Sequence, residues 1–326
     1  MTSISIIVPV FNRPAEVKEL LKSLAGQTDR NFEVVIVEDG STLPCKAECD
    51  AFADRLDIRY LSKPNEGRSK ARNYGMDNAA GDYFIIFDSD CIMPPHYIAT
   101  VRRCLEEDYV DCFGGPDRAD EGFSDLQKAI SYAMTSILTT GGIRGAAGKK
   151  DKFTPRSFNM GISGECYRKV GGFRDMISED IDLSLRIKEA GYRTVLFPDA
   201  FVYHKRRVSL RKFYRQVNTF GRGRPVLARL HPGALKPVHI LPACFVLGNV
   251  FLVLMAFLCG NSVWLLPIAV YALGLFLDSL LKNGSIRIAL LSIVAAYVQL
   301  FGYGLGFIDE ILTRRTSGKG QEEIFR

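Results

Sequence analysis

Hydrophobic positions change rhythm along this chain. In the first ninety residues short apolar runs alternate with polar loops: Ser3–Val10, Phe32–Val37, Ile58–Leu61 and Tyr83–Phe87. These runs predict strands, Ser3–Val10 as a buried one and Tyr83–Phe87, bounded by a Gly-Asp turn, as one buried on both faces of a parallel sheet. Between the first two, Val17, Leu20, Leu21 and Leu24 recur at helical spacing, with Pro14 placed to open that helix and Gly26 to close it. Further helices are predicted near Pro44–Leu56, from about Ser69 to Ala80, and over Ala119–Thr140 through Leu126, Ile130, Met134 and Ile137. Short strands are predicted at Thr194–Phe197 and Ala200–Tyr203. Past Val238 the alternation gives way to three long apolar stretches, Val238–Cys259, Val263–Leu281 and Ile286–Ile308, each near the roughly 20 residues that cross a bilayer core. Asp278 in the second, and Gln299 with Gly302, Gly304 and Gly306 in the third, predict that these two pack together or lie partly in the interface.

Composition alone, with 326 residues, 47% hydrophobic and 24% charged, describes an average globular chain. The charge is unevenly placed. Lys205–Lys236 holds ten Lys or Arg and no acid, so the net charge of +6 is local to that block. Leu210, Phe213, Tyr214 and Val217 form an apolar stripe opposite Arg211, Lys212 and Arg215, the pattern of an interfacial helix on an anionic lipid surface. Nucleic acid is not expected as a partner, since few aromatic residues stand ready to stack bases. The implied organisation is an α/β domain over 1–203, a basic interfacial segment over 204–237, a membrane region over 238–308 and a polar tail over 309–326. Met1–Ile4 has no basic region and no cleavable pattern, so no signal peptide is expected and the first domain should face the cytoplasm. The basic block, with Lys282 and Arg287 between the later stretches, agrees with that orientation; three full spans would put Arg314, Arg315 and Lys319 on the opposite side. Eight scattered cysteines, including Cys45 and Cys49 without nearby His, read as reduced thiols.

Candidate chemistry begins at Asp88-Ser89-Asp90, directly after the apolar run Tyr83–Phe87. Open α/β sheets bind ligands in the crevice at the C-terminal ends of their strands. Paired carboxylates there suit Mg²⁺ or Mn²⁺ carrying a nucleotide diphosphate, although a solvated turn would explain these three residues in isolation. The first loop, Phe11-Asn12-Arg13-Pro14, lacks the glycine fingerprint of a dinucleotide site, which counts against an oxidoreductase. Gly141–Lys150 resembles a P-loop only superficially, lacking both the leading glycine and the Ser or Thr after Lys; a mobile lid near the acceptor is expected there instead. Ser178 followed by Glu179, Asp180 and Asp182 is an ordinary helix start with a Ser N-cap. His204, alone before the basic block, reads by itself as a surface or interface residue.

Four segments carry a resemblance. Ile6-Ile7-Val8-Pro9-Val10-Phe11-Asn12-Arg13, Val37-Glu38-Asp39-Gly40-Ser41, the Asn65-x-Gly67-x-x-x-Ala71-Arg72-Asn73 pattern and the strand ending Asp88-Ser89-Asp90 occur in order. Together they resemble the family 2 glycosyltransferases, and Phe158–Gly164 and Val170–Arg174 extend the match. The resemblance implies a GT-A fold, that is, a Rossmann-like mixed sheet flanked by helices, here followed by interfacial and transmembrane helices. It implies inverting transfer from a nucleotide diphosphate sugar, with a UDP-linked donor expected. Pro9, Val10, Asn12, Asp39, Arg72, Asp88 and Ser89 would bind the donor. Asp90, Asp88 and His204 would meet the metal, and Asp180 would be the base, with Glu179 the second choice. Arg222 and Arg224 occupy the place of a basic segment that in membrane-bound members lies near the donor.

The expected acceptor is a hydroxyl on a membrane-associated molecule such as a lipid-linked saccharide, and the expected site is a bacterial inner membrane. A polyprenyl-phosphate acceptor and a non-catalytic, membrane-tethered nucleotide-sugar binding protein are the alternatives.

Overall fold

A computed structural model describes residues 2–118, 122–140, 153–204 and 209–317. The expected lid at 141–150, the cations Arg206 and Arg207 and the end of the tail lie outside them. The chain forms two compact units, one built from Met1–Asp120 and Ala147–Lys205, the other from Glu121–Ala146 and Arg206–Ile324.

The first unit starts with β1 (Ile4–Val10), α1 (Pro14–Ala25), β2 (Phe32–Asp39), α2 (Lys46–Asp50), β3 (Asp57–Lys63), α3 (Arg68–Asp77) and β4 (Tyr83–Phe87). It continues with β5 (Cys91–Ile92), α4 (Tyr97–Glu107), β6 (Cys112–Gly114) and β7 (Asp117–Arg118). After α5 (Asp125–Thr135) and α6 (Ile137–Thr140), which belong to the second unit, come β8 (Asn159–Ser163), α7 (Gly164–Val170), α8 (Glu179–Glu189), β9 (Thr194–Leu196) and β10 (Val202–His204). Seven strands form one sheet in the order β3-β2-β1-β4-β8-β6-β9, and β5-β10-β7 form a second, small sheet. The first four strands are parallel, while β8 runs antiparallel to both its neighbours. This mixed α/β sheet is the one the sequence implies.

Alternation within β1 shows how the layers form. Ile4, Ile6, Val8 and Val10 pack toward α1 and α4, against Leu20, Leu24, Tyr97 and Val101. Ile7 points the other way, into a cluster with Ala71 and Met76 of α3 and Leu183 and Ile187 of α8. Burying a Val, Leu or Ile side chain stabilises a fold by about 1.5–3 kcal/mol, and helices on both faces let the inner strands β1, β2 and β4 bury both of their sides, while β3 at the sheet edge stays partly exposed.

Several elements differ from their predicted bounds for identifiable reasons. β2 runs to Asp39 instead of ending at Val37, because the ladder with β3 continues through Asp39 and Lys63, and Glu38 and Asp39 are both buried with partners. Only Lys46–Asp50 of the predicted Pro44–Leu56 helix is α-helical; tight turns follow, and they bring Phe52 and Leu56 into the core. The helix predicted over Ala119–Thr140 begins at Asp125 behind a capping box of Ser124 and Gln127 and breaks at extended Ser136.

In the second unit, α9 (Leu210–Leu230), α10 (Leu241–Leu258), α11 (Leu266–Asn283) and α12 (Ile286–Ser317) follow one another. Among the described residues, three helical stretches, Leu241–Leu258, Ser262–Asn283 and Ile286–Thr313, are long and apolar enough to cross a membrane. Phe213 and Val217 of α9 are buried with Ala129 and Ile130 of α5 and Ala295 and Ala296 of α12, so protein covers this part of the stripe while Arg211, Lys212 and Arg215 stay exposed. The glycines of α12 serve neighbours other than the expected one. A Cβ at Gly306 would lie 2.2 Å from Asn218 O of α9, and one at Gly304 would lie 2.4 Å from Pro242 O of α10. α11 does pack on α12, through buried Ser279 and Ser292, whose hydroxyls are 2.8 Å apart. Asp278 is tied to α5 by Tyr132 Oη, which donates to it at 2.7 Å.

Candidate active site

The carboxyl ends of β1, β2 and β4 lie side by side, which gathers the first, second and fourth sequence motifs at one edge of the sheet. Pro9 and Val10 pair in register with Val37 and Glu38. Asn12 adopts φ 55°, in the left-handed region that Asn enters more readily than most residues. Its side-chain oxygen accepts from Thr42 N at 2.8 Å, Leu43 N at 2.9 Å and Thr42 Oγ1 at 3.0 Å. Asn12 therefore braces the loop after β2. Asp39 accepts from Lys63 Nζ at 2.9 Å, Glu66 N at 3.0 Å and Gly67 N at 2.9 Å, tying β2 to the start of α3.

Arg72 on α3 is buried and joins two acids from different elements. Its Nη1 donates to Glu179 Oε1 at 2.9 Å and its Nη2 to Asp88 Oδ1 at 2.8 Å. The Asp88 and Glu179 charges outweigh burial and raise the guanidinium pKa further. Glu179 is also held by Arg68, whose Nε lies 2.7 Å from Oε1 and whose Nη2 donates to Oε2 at 2.8 Å. Asn73 fixes the adjoining loop through two 2.8 Å bonds, Nδ2 to Phe173 O and Phe173 N to Oδ1. Gly172 permits this contact, since a Cβ there would sit 2.2 Å from Asn73 Oδ1.

Asp180, next in sequence to Glu179, is placed differently. Its side chain is 19% exposed, and the nearest cation, Arg156 Nη1, stands 3.8 Å away. Its Oδ1 accepts from Ile181 N at 2.8 Å. The expected Ser178 cap is absent: Ser178 has φ 65° and its side chain makes no capping bond. The α8 backbone thus enters through a left-handed residue, and the acids of its first turn diverge. Asp182 is fully buried and pairs with Arg186 at 2.8 Å and Arg174 at 3.3 Å.

The turn after β4, closed by Cys91 N on Asp88 O at 3.1 Å, contains Ser89, which is buried, and Asp90. Antiparallel pairing of Cys91 with His204 across β5 and β10 brings the imidazole to Asp90. Asp90 Oδ2 accepts from Arg13 Nη1 at 2.8 Å, while Oδ1 lies 3.1 Å from His204 Nε2 without a well-aligned donor. Burial pushes the Asp90 carboxyl up, but His204 and Arg13 outweigh it and hold the group well below the usual carboxylate range. Burial likewise lowers the His204 pKa, yet Asp90 first, then Asp88 and Asp117, leave it raised. Phe158 stacks on the imidazole with ring centroids 5.0 Å apart.

These donors fit a hard divalent cation. Adjacent ligands about 2.1 Å from an octahedral ion are about 3.0 Å apart, close to the separation of Asp90 Oδ1 from His204 Nε2, and that oxygen has a lone pair to give. Asp90, Cys91 and His204 form the metal-capable cluster among the described residues. Cys91 is a poor third ligand, because burial pushes its thiol pKa well up and a metal binds the thiolate. Asp88 stands outside this cluster with Oδ1 given to Arg72.

With this geometry in place, comparison with known proteins is decisive. Residues 5–177 match the model of glycosyl transferase family 2. The chain belongs to that family. Succinoglycan biosynthesis protein ExoA of Rhizobium meliloti is 27% identical over 260 residues, covering 75% of this glycosyltransferase and 77% of ExoA. An uncharacterized glycosyltransferase of Rickettsia felis is 38% identical over 106 residues, 32% of this chain and 18% of that protein. The family 2 chain thus spans under a fifth of the Rickettsia relatives it matches. Among solved structures, the mannosyltransferase PcManGT of Pyrobaculum calidifontis, in complex with GDP-Man and Mn²⁺, is similar with a TM-score of 0.59 at 18% identity, over 98% of this chain and 88% of that one. S. aureus TarS 1–349 in complex with UDP gives 0.50 at 18% identity, over 95% and 92%. At such identity the likeness shows the fold, a GT-A-like mixed α/β sheet, and the three apolar helices fit transmembrane helices.

Some partners in this site were not foreseen from sequence. Arg13 lies inside the first motif, yet nothing local shows that it reaches Asp90. Lys63 ends an unremarkable strand, and only the sheet places it on Asp39. Arg68 opens α3, and only the folded chain places it on Glu179.

Proposed function

We propose that this glycosyltransferase inverts the anomeric centre as it moves a sugar from a nucleotide diphosphate sugar, with a UDP-linked donor expected, to a hydroxyl of a membrane-associated acceptor such as a lipid-linked saccharide. The observation that carries this reading is the contrast at the start of α8: Glu179 has both oxygens bound to arginines, while Asp180 beside it is partly exposed and only loosely paired. Asp180 is the base. It takes the acceptor hydroxyl's proton as that oxygen bonds to the anomeric carbon from the face opposite the diphosphate. The bond from the anomeric carbon to the leaving oxygen breaks, and its electron pair departs on the nucleotide diphosphate.

Pro9, Val10, Asn12 and Asp39 shape the nucleoside end, Asn12 mainly by holding its loop. Ser89 and Asp88 approach the diphosphate, and Arg72 acts there through Asp88. Asp90 and His204 hold Mg²⁺ or Mn²⁺, with Asp88 reaching toward the same diphosphate. When bound, such an ion supplies positive charge opposite the negative charge that develops on the leaving group. Support comes from the fit of the two ligand atoms and from the Mn²⁺ in the PcManGT complex. The solved relatives were bound to GDP-Man in one case and to UDP in the other, so the test spans both nucleotides.

The apolar helices and the exposed basic side of α9 support attachment to a membrane with an anionic surface, with the catalytic unit on the cytoplasmic side of a bacterial inner membrane. Detergent-purified protein, given UDP- and GDP-sugars with lipid extract, should release nucleotide diphosphate only with Mg²⁺ or Mn²⁺ and form a product of inverted configuration. Metal-independent release or a retained configuration would refute the mechanism.

A further inference from the structure

We propose that Arg72 is a positioning residue that couples the donor end of the site to the helix bearing the base. The inference rests on the reading above, in which Asp88 meets the donor and α8 carries Asp180. Arg72 is 3% exposed at its side chain, and its charge is balanced by two acids, Asp88 at 2.8 Å and Glu179 at 2.9 Å. Its Nε is buried without a hydrogen-bond partner, so these two ion pairs supply its hydrogen bonds. The guanidinium also lies over the ring of Phe173, 5.1 Å from the centroid, and Asn73 clamps the Phe173 backbone. It is therefore held from the side as well as from both ends.

The acids differ in what else they can do. Glu179 is 4% exposed at its side chain and has both oxygens on arginines, which leaves it poorly placed to take a proton from an acceptor. Asp88 is 34% exposed at its side chain and can turn toward a ligand. A buried cation that loses one carboxylate holds the remaining one harder, because an uncompensated buried charge is strongly unfavourable. Glu179 thus sets how firmly Arg72 retains Asp88, and hence how readily Asp88 turns toward the donor. In the other direction, a donor that draws Asp88 away shifts Arg72 onto Glu179, the first residue of α8. Donor occupancy and the setting of Asp180 are linked through one side chain.

The test is a double-mutant cycle on the full chain in detergent, measuring Mn²⁺-dependent binding of UDP and GDP by titration calorimetry for wild type, D88N, E179Q and the double variant. E179Q should weaken nucleotide binding about fivefold or more, and in the D88N background that loss should vanish, since coupled neighbours give non-additive effects. E179Q binding within about twofold of wild type, or an equal loss in both backgrounds, would overturn the coupling alone. Wild type binding neither nucleotide would overturn the functional reading and the coupling with it. Should E179Q fail to give a cooperative melt, R72K takes its place: a lysine amine lacks the fork that spans both acids, so Asp88 is held less firmly and nucleotide binding should tighten about fivefold or more, a change again absent with D88N. Wild-type affinity in R72K would contradict the coupling.

Discussion

Asp90 and His204 meet because two short strands pair: β5 and β10 set the carboxylate Oδ1 3.1 Å from the imidazole Nε2. The His204 pKa is raised, so its share of the pair's stability is complete below the ordinary histidine value of about 6.5 and is lost as pH climbs through the raised value. The Asp90 pKa is depressed, so its share is present above about 3.9 and is lost as pH falls through the lower value. A divalent ion needs the neutral imidazole and must displace the proton. Mn²⁺-dependent nucleotide affinity should therefore rise with pH through the raised His204 value. Titrations between about pH 6 and pH 9 should show this rise in wild type and a flat profile in H204N. An unchanged profile in H204N would remove His204 from the metal site.

Ser178 opens α8 at φ 65° without capping it. For a residue with a Cβ this conformation costs about 1–2 kcal/mol, and a β-branched side chain fits it worst. S178G should melt at or above the wild-type temperature, whereas S178V should melt several degrees lower. Since Asp180 follows two residues later, S178V should also slow transfer more than it weakens nucleotide binding. A wild-type melting curve for S178V would show that the turn stores no strain.

Helix packing in the second unit depends on missing side chains. A Cβ at Gly221 of α9 would lie 2.0 Å from Tyr303 O of α12, and one at Gly306 of α12 would lie 2.2 Å from Asn218 O of α9. Both close approaches are to backbone, so G221V and G306L must push the helices apart. Each should lower the thermal midpoint in detergent more than S279A does. The serine variant loses one hydrogen bond, worth about 0.5–1.5 kcal/mol, and leaves the backbone separation alone. Equal midpoints for G306L and S279A would argue against a close α9–α12 contact.

Strands were the most legible part of this sequence. Tyr83–Phe87 is fully buried, and a five-residue apolar run has few other ways to satisfy itself than the middle of a covered sheet. The motifs at the strand ends were legible only together, because a solvated turn is reason enough for any one set of carboxylates after a strand. What the sequence hid are partners set by tertiary contacts. No local pattern shows that Arg13 reaches Asp90, that Glu179 is captured by two arginines, or that Ser178 turns left-handed where a Ser N-cap is the usual choice. Small residues were similarly ambiguous. The three glycines of α12 marked a close contact, but only the packed helices reveal that α9 and α10 fill it.

In the proposed division of labour, Asp90, with His204, would hold the metal and leaving diphosphate, while Asp180 would take the acceptor proton. This division is tested most directly by measuring Mn²⁺-dependent nucleotide binding and sugar transfer side by side in D90A and D180N. D90A should lose about tenfold or more of its nucleotide affinity, whereas D180N should bind within about twofold of wild type and transfer about 10²-fold or more slower. A D180N protein that transfers at the wild-type rate, or one whose metal-dependent binding falls as far as that of D90A, would contradict this division.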